Sequence, residues 1–450
     1  MPLSPPVIAP GALPLVGHAG RLLRDPMEFF TAQRGVGPVV GIRLGPHTAY
    51  LVTDPELVRS MLVGGYRDFD KGGLFFDAVR SLAGNGLATC SAGDHARQRP
   101  LMQPAFQPSV LPRYTAVMSA CAEEVSGAWQ AGSTLALDQE MRRITALVAT
   151  RTLVTSKEGA QAAAEVERGL PLLLPALHRR VFIPVPWVHQ VPTPGNRRFE
   201  RTRARLREAV DQVVTQYRRS GAGHGDLLSL IMEARSEEDG SGLSDVEIRD
   251  QIMSVLLAGI ETTASLLSWA LHLVSRHPGV RRRLETEVKT VLGGRTADHQ
   301  DLVRLPYCRY VLTETMRLYP PAALLSRATT TDVELAGTPI PAGSDVLFCV
   351  YALHRDPQVF AEPGRFDPDR WLPERVTPVQ RKGLFSLGAG RRKCIGDSFG
   401  LIEATIALAT ITARWHLRPA DRRPVRPVMR TTLMPSSLRM TLEPRTAGSG

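Results

Sequence analysis

One cysteine of the 450-residue chain stands where its chemistry could be changed by its neighbours. Cys394 closes the glycine-bearing stretch FSLGAGRRKCIGDSFG (residues 385–400), directly after Arg391, Arg392 and Lys393. The apolar-periodic run that follows, DSFGLIEATIALATITARW, predicts a helix with Asp397 as its N-cap. A sulfur at the start of a helix and beside cations is favoured as thiolate, and such settings lower a cysteine pKa to roughly 3.5–7.5. A thiolate is a nucleophile or a metal ligand. Nucleophilic cysteines work with a histidine base, and none lies close in sequence. A lone thiolate can instead be the axial ligand of a haem iron. An ordinary buried cysteine in a glycine-rich turn is the third reading.

Three other groups could do chemistry. In SGLSDVEIRDQIMSVLLAGIETTASLLSWALHLVSRHP an acid, Glu261, stands in an apolar run, followed by Thr262 and Thr263 and preceded by Ala258-Gly259. A buried acid is costly unless paired or used, and the small pair lets something approach the backbone. The stretch suits a proton relay and a packed kink equally, because threonine can bond back to a carbonyl and bend a helix. His95 and Arg99, four apart, share one face of a short helix that Asp94 is expected to cap, while Pro100 should kink or end it. Glu314 and Arg317 lie i, i+3 on a third helix, LPYCRYVLTETMRLYPP, where a surface pair would contribute little.

These residues need a frame. Ser244 and Glu247 form a capping-box pattern and Pro278 ends the run, so Glu261 belongs to a helix of some 34 residues, roughly 50 Å long. It is apolar all round in its middle and must pass through a core; Glu261 argues against a membrane span. VVGIRLG and HTAYLVT read as a hairpin through Gly45-Pro46, and DPELVRSMLV as a helix starting at Asp54-Pro55. Residues 66–90, with Phe69, Phe75 and Phe76, read as an irregular loop that could be a lid or pocket wall. The pattern from about 110 to 170 is helical throughout. PLLLPALHRRVFIPVPWVHQVPTPGNRRF, with Phe182 and Trp187, suggests a short helix and an apolar loop, either a cover over a greasy cavity or a hinge. A strongly charged helix follows from Asn196 to about Ser220. After Arg327, DVELAGTPIPAG is a hairpin pattern around Gly337, YALHRDPQVFAEPGRFDPDRW a proline-punctuated meander, and the tail two strands turning at Pro435.

Composition excludes several classes. With 43% hydrophobic and 22% charged residues the chain is globular, and it is long enough to bury a substantial core. A net charge of +11 could mean nucleic acid, but the basic residues are spread out and no aromatic-basic box appears. An acidic protein partner or simple solubility explains the excess at least as well. Five separated cysteines with no C-x-x-C pair suggest neither zinc site nor disulfide framework and fit a reducing compartment. The opening MPLSPPVIAPGALPLVGH has no basic n-region or spanning apolar run, so a soluble, cytoplasmic protein is expected.

In this order the pieces resemble the cytochrome P-450 superfamily of haem-thiolate monooxygenases over nearly the whole chain. The family's Ala/Gly-Gly-x-Asp/Glu-Thr-Thr matches residues 258–263; its Glu-x-x-Arg matches Glu314 and Arg317; its cysteine loop, Phe-x-x-Gly-x-Arg-x-Cys-x-Gly, matches Gly390, Arg392, Cys394 and Gly396. One position departs: the phenylalanine seven residues before the cysteine is Leu387 here, which leaves ligation intact but bears on redox potential and coupling. The resemblance implies one catalytic domain over 1–450, mainly α with a smaller β-rich region (about 37–53, 325–350 and 428–443) and a long central helix crossing the haem. It implies haem b with Cys394 as axial iron ligand, His95, Arg99, Arg327 and Arg392 as propionate partners, and a buried triad of Glu314, Arg317 and Arg365. Glu261 and Thr262 would supply protons as dioxygen is activated and one oxygen atom is inserted into a C–H bond.

Electrons would come ultimately from NAD(P)H through a ferredoxin and its reductase, with Arg391, Arg392 and Lys393 steering an acidic partner. The PGALPLVGH, FDKGG and PTPGNRRF stretches are similar to actinobacterial sesquiterpene oxidases. The candidate pocket residues Phe75, Phe76, Phe182, Ala258, Leu324, Leu325 and Met434 are apolar, which suits a terpenoid of secondary metabolism, and also a polyketide or fatty acid. A non-catalytic haem sensor is the rival from another class; a mere binder has no need of the Glu261-Thr262 pair. A cysteine hydrolase finds no oxyanion site or ordered base.

Overall fold

A computed structural model describes residues 5–155, 165–166, 168–169, 172–177, 179–180, 186–220, 225–421 and 423–445. Helix dominates it, at 56%. The longest element is the helix Asp245–Arg276. At its start the Ser244 hydroxyl accepts from the Glu247 N–H while the Glu247 carboxylate accepts from the Ser244 N–H at 2.9 Å, so two orphan donors are satisfied reciprocally. It stops at His277, the residue before Pro278, where helical backbone is disfavoured. Its 32 residues make a rod of roughly 48 Å. By length and composition it could cross a membrane, but 72% of the qualifying window is buried inside the molecule. It is a core helix.

Helices Leu111–Gly127, Leu137–Leu153, Pro306–Leu318 and Asp397–Arg414 surround it and share one apolar core with it. Trp269 anchors its C-terminal half: fully buried, it stacks on Tyr319 with ring centroids 3.8 Å apart and donates its indole N–H to the Leu433 carbonyl at 2.8 Å.

The main sheet runs Val7–Ile8, Val39–Leu44, His47–Val52, Asp345–Cys349, Leu324–Thr329, Phe69–Asp70. The expected hairpin lies inside it, antiparallel with Val39 opposite Val52 and turning at Gly45, φ 61°. Its second strand then pairs in parallel with Asp345–Cys349, Tyr50 opposite Val346. The hairpin Val333–Leu335/Thr338–Ile340 turns at Ala336 and Gly337, both at positive φ, as the sequence around Gly337 requires.

Three expectations fail locally. Residues 66–90 are no irregular loop: Phe69–Asp70 adds to the sheet opposite Ala328–Thr329, and Gly73–Ala83 is a helix entered through Gly73 at φ 76°. Phe75, Phe76, Val79 and Leu82 have helical spacing that the flanking glycines masked. The helical stretch after 110 is broken by a strand, Thr134–Ala136, which pairs with Arg439–Thr441 of the tail after a turn at Gly132. The tail hairpin Pro427–Met429/Leu433–Pro435 turns before Pro435, over residues 430–432. A third tail strand, Arg439–Pro444, pairs with Trp415–Pro419 instead.

Candidate active site

The cysteine loop is pinned before the cysteine is reached. The Phe385 N–H donates to His354 Nε2 at 2.8 Å and the Ser386 hydroxyl to the Met316 carbonyl at 2.9 Å. At Gly390, φ is 65° and a Cβ would collide with the Leu62 carbonyl, so no other residue fits that approach. The Cys394 N–H donates to the Leu387 carbonyl at 2.9 Å. That bond uses only backbone, so leucine in place of the family's phenylalanine leaves it intact.

Asp397 is not the cap: Gly396 holds that position, and Asp397 lies in the first turn, paired with Lys393 at 2.6 Å. Cys394 keeps accessible surface, unlike the other four cysteines, all buried. Its thiol sits above its ordinary range, not below as the loop sequence suggests. Burial raises it more than the Gly396 N–H and the Arg99 and Lys71 charges lower it.

Around the thiol the chain gathers cations from four segments. The helix Ala92–Met102 supplies His95 and Arg99; Ser91, not Asp94, caps it, and Pro100 sits inside it only two residues from its end. Arg99 donates to the Lys393 carbonyl at 2.6 Å, which ties that helix to the cysteine loop. Arg392 pairs with Asp70 at 2.7 Å and donates to the Cys90 carbonyl at 3.0 Å. Arg327, from strand Leu324–Thr329, is buried. Lys71, which sequence reasoning passed over, donates to the Ala88 carbonyl at 2.8 Å.

Lys71, Arg327 and His95 are disfavoured as cations by their surroundings. Burial first, then Arg327 and Arg392, brings Lys71 down to about 7. Burial, then Arg392, brings Arg327 down to about 10. Burial, then Arg392, Lys71 and Arg99, brings His95 down to about 3. Among the described residues Asp70 is the one carboxylate bonded to this group. Such a cluster is built for an anion. The signal for Lys71 was the charged pair Asp70-Lys71 inside an otherwise apolar and glycine-rich stretch.

On the long helix, Ala258 is exposed and Gly259 and Thr262 are half-buried, although the residues around them are core. This window is where the small residues sit. The Thr262 hydroxyl bonds back to the Ala258 carbonyl at 2.6 Å. Glu261 turns the other way and is buried against Leu137–Leu153, where Arg142 Nε donates to it at 2.7 Å. Arg142 is a second residue that sequence missed; nothing in MRRITAL separates it from the exposed Arg143. Thr263 faces the cysteine helix, bonded to the buried Glu403. Gly400 of that helix lies against the Thr263 hydroxyl, so the cysteine helix and the window helix are in direct contact.

Glu314 and Arg317 are fully buried and paired at 2.8 Å. Arg365 does not complete the triad. Its guanidinium lies on the surface beside Glu362, and only its carbonyl turns inward, accepting from Arg317 Nη2 at 2.9 Å. The third charge is Arg370, buried, with Nε 3.5 Å from Glu314. Residues Phe366, Pro368 and Arg370 alternate inward and Arg365 falls on the outer side of that alternation. Trp371 Nε1 and the Asp367 N–H also donate to Glu314, at 2.9 and 3.1 Å.

The pocket residues separate. Phe76 is buried edge-on to the half-buried Phe75, centroids 5.2 Å apart. Leu324 and Leu325, neighbours in a strand, point to opposite faces and pack against different apolar clusters, so they line no common wall. Met434 is fully buried in the tail hairpin and lines no open space. At the turn of that hairpin the Thr431 and Thr432 hydroxyls are buried without a hydrogen-bond partner. Phe182 lies outside the described residues.

The family model described as Cytochrome P450 matches residues 6–442. The chain belongs to the cytochrome P-450 family. It is 44% identical to a protein named cyclooctatin synthase from Streptomyces melanosporofaciens over 97% of this chain and 95% of the relative. Cyclooctat-9-en-7-ol 5-monooxygenase from the same organism is 42% identical over 97% and 95%. Pentalenene oxygenase from Streptomyces avermitilis is 41% identical over 98% of each chain. The crystal structure of the cytochrome P450DA haem domain superposes with a TM-score of 0.89 over 99% of both chains at 25% identity.

This cytochrome P-450 is therefore an oxidoreductase of the monooxygenase kind, whose family cofactor is haem iron. The residues present fit that group. An accessible thiol stands at the loop, small side chains open the helix, and buried cations with a single carboxylate suit two propionates. When bound, the haem supplies dioxygen activation.

Proposed function

We propose that this cytochrome P-450 inserts one oxygen atom into a terpenoid of secondary metabolism, as one catalytic domain over residues 1–450. It would use haem b held by Cys394 and would take electrons from NAD(P)H through a ferredoxin and its reductase, in the cytoplasm. One observation carries the chemistry: Cys394, the accessible cysteine, lies near Arg99 and Lys71, which share one basic cluster with His95, Arg327 and Arg392 and, among the described residues, one bonded carboxylate. The names of the three Streptomyces relatives carry the substrate class.

In this reading Cys394 is the thiolate ligand, Arg99, Arg327, Arg392 and Lys71 would offset the propionate charge, and His95 would hydrogen-bond to it. Thr262 presents its hydroxyl at the helix window, donating to the Ala258 carbonyl. Glu261, its neighbour in the chain, is held by Arg142 and would exchange a proton with it once released from that pair.

The test is a carbon monoxide difference spectrum of the dithionite-reduced protein. A strongly red-shifted Soret band that disappears in Cys394→Ala is the expected outcome, followed by spin-state shifts on titration with cyclic terpenes but not with fatty acids. A band in the histidine-haem position, or no haem, rejects the ligand assignment. In the same preparations Thr262→Ala should release peroxide in place of product; normal coupling removes Thr262 from the proton path.

A further inference from the structure

The charged helix Pro194–Ser220 has eight arginines among its 27 residues, and neither the core nor the active site uses most of them. Its inner face is apolar: Phe199, Leu206, Val210 and Val213 are buried. That face lies over the long helix, and Arg203 donates to the Ser81 carbonyl of the Phe75–Phe76 helix at 2.9 Å. The helix thus covers the long helix and the Phe75–Phe76 helix.

Arginines that turn inward or toward the ends are paired. Arg203 meets Glu200, Arg218 meets Asp245 at 3.0 Å, and Asp211 of this helix receives Arg249 at 3.0 Å. The outer face of the N-terminal half differs. Arg197, Arg198, Arg201 and Arg205 are exposed and form no ion pair among the described residues. Residues 197, 201 and 205 follow one another at i, i+4 spacing, where like charges cost helix stability. Exposed Arg179 extends the patch, lying beside Gly195, and exposed Val191 sits at the helix start, its carbonyl accepting from Asn196.

We propose that this face docks the enzyme on an anionic phospholipid surface. Guanidinium groups match phosphate oxygens geometrically, and a row of them on one helix face fits a plane of headgroups. The aromatics within the helix, Phe199 and Tyr217, are buried and offer no ring to stack a nucleic-acid base. Val191 gives an apolar contact at the headgroup boundary. The docking itself does not depend on the terpenoid reading.

The experiment is flotation of the full-length holoenzyme with vesicles of phosphatidylcholine alone and of phosphatidylcholine containing a quarter phosphatidylglycerol, at low and high salt. Binding to the anionic vesicles only, released by salt, is expected. The triple variant Arg197→Gln/Arg201→Gln/Arg205→Gln should lose about fivefold per arginine, roughly a hundredfold in all. The variant Arg304→Gln/Arg381→Gln/Lys382→Gln removes the same charge from other exposed positions and should lose less than about twofold. An unchanged carbon monoxide spectrum shows that each variant is folded. Absence of flotation at low salt, equal binding to neutral vesicles, equal loss in both triple variants, or binding only to an acidic protein overturns the proposal.

Discussion

Glu314 accepts four hydrogen bonds inside the protein, from Arg317 on its own helix and from the turn at residues 367–371. Arg317, Trp371 and the Asp367 N–H bond to it, and Arg370 stands 3.5 Å away with no other partner for its Nε. Removing one member of a buried charged group strands the rest, at about 3–5 kcal/mol. Arg370→Ala should therefore destabilise the protein by about 3 kcal/mol in urea denaturation. Arg365→Ala should stay within about 0.5 kcal/mol, because its side chain is exposed and its inward carbonyl remains. Equal losses in the two variants would mean that the meander arginines share the role. A lower midpoint for Arg365→Ala alone would restore the assignment read from sequence.

Two helices meet at Glu403, and their contact is where an element-scale prediction belongs. The carboxyl is fully enclosed between the cysteine helix and the long helix, with Thr263 as its bonded partner and Oε1 without one. Burial raises it to about 8, from an ordinary value of 4.5. The unfolded chain releases this proton near 4.5 while the folded one keeps it, so between those values the native state binds more protons. Stability contributed here is complete below the unfolded value and is lost as pH rises toward about 8, at roughly 1.4 kcal/mol per unit. Glu403→Gln should flatten that decline in chemical denaturation across pH 5 to 8, a difference of roughly a few kcal/mol at the alkaline end. A wild-type curve no steeper than the variant's would mean that the carboxyl finds a compensating partner.

The same scale shows what sequence made legible. Capping boxes, helix stops at proline and hairpin glycines act within a few residues, so Asp245–Arg276, the Gly45 and Gly337 turns and the cysteine loop could be placed directly. The Glu314/Arg317 spacing alone read as a surface pair, and only the family resemblance implied the burial it has in the fold. Lys71, Arg142 and Arg370 were not legible, because each gains its role from a partner far along the chain: Ala88 and the Arg392 loop, Glu261, and Glu314. The helix Gly73–Ala83 was hidden by glycines that mark only its entrance. Leu324 and Leu325 were apolar and near the right segment, but strand alternation, which depends on register, sends them to opposite faces.

At the scale of the molecule the cation cluster is a tie. Residues 70–71, 95–99, 327 and 392 lie in the sheet edge, a helix, a central strand and the cysteine loop, and none of these segments neighbours the next in sequence. With one carboxylate among them, burial first and then their mutual repulsion bring Lys71, Arg327 and His95 down to about 7, 10 and 3. An anion bound there stabilises the folded chain by mass action, since the unfolded chain has no such cluster to bind it. Haem with its two propionates is the anion that the family supplies. The apoprotein should therefore unfold at lower temperature than the holoprotein. Sulfate should recover part of the difference, saturably, whereas chloride at matched ionic strength should not. Lys71→Met should reduce the sulfate response and at the same time raise the stability of the apoprotein in its absence, because one buried charge is gone. If sulfate and chloride act alike, screening alone accounts for the effect and the cluster is not organised around an anion. If Lys71→Met weakens the apoprotein, the lysine's bonds to the Leu87 and Ala88 carbonyls outweigh the repulsion, and the tie is made by the lysine itself.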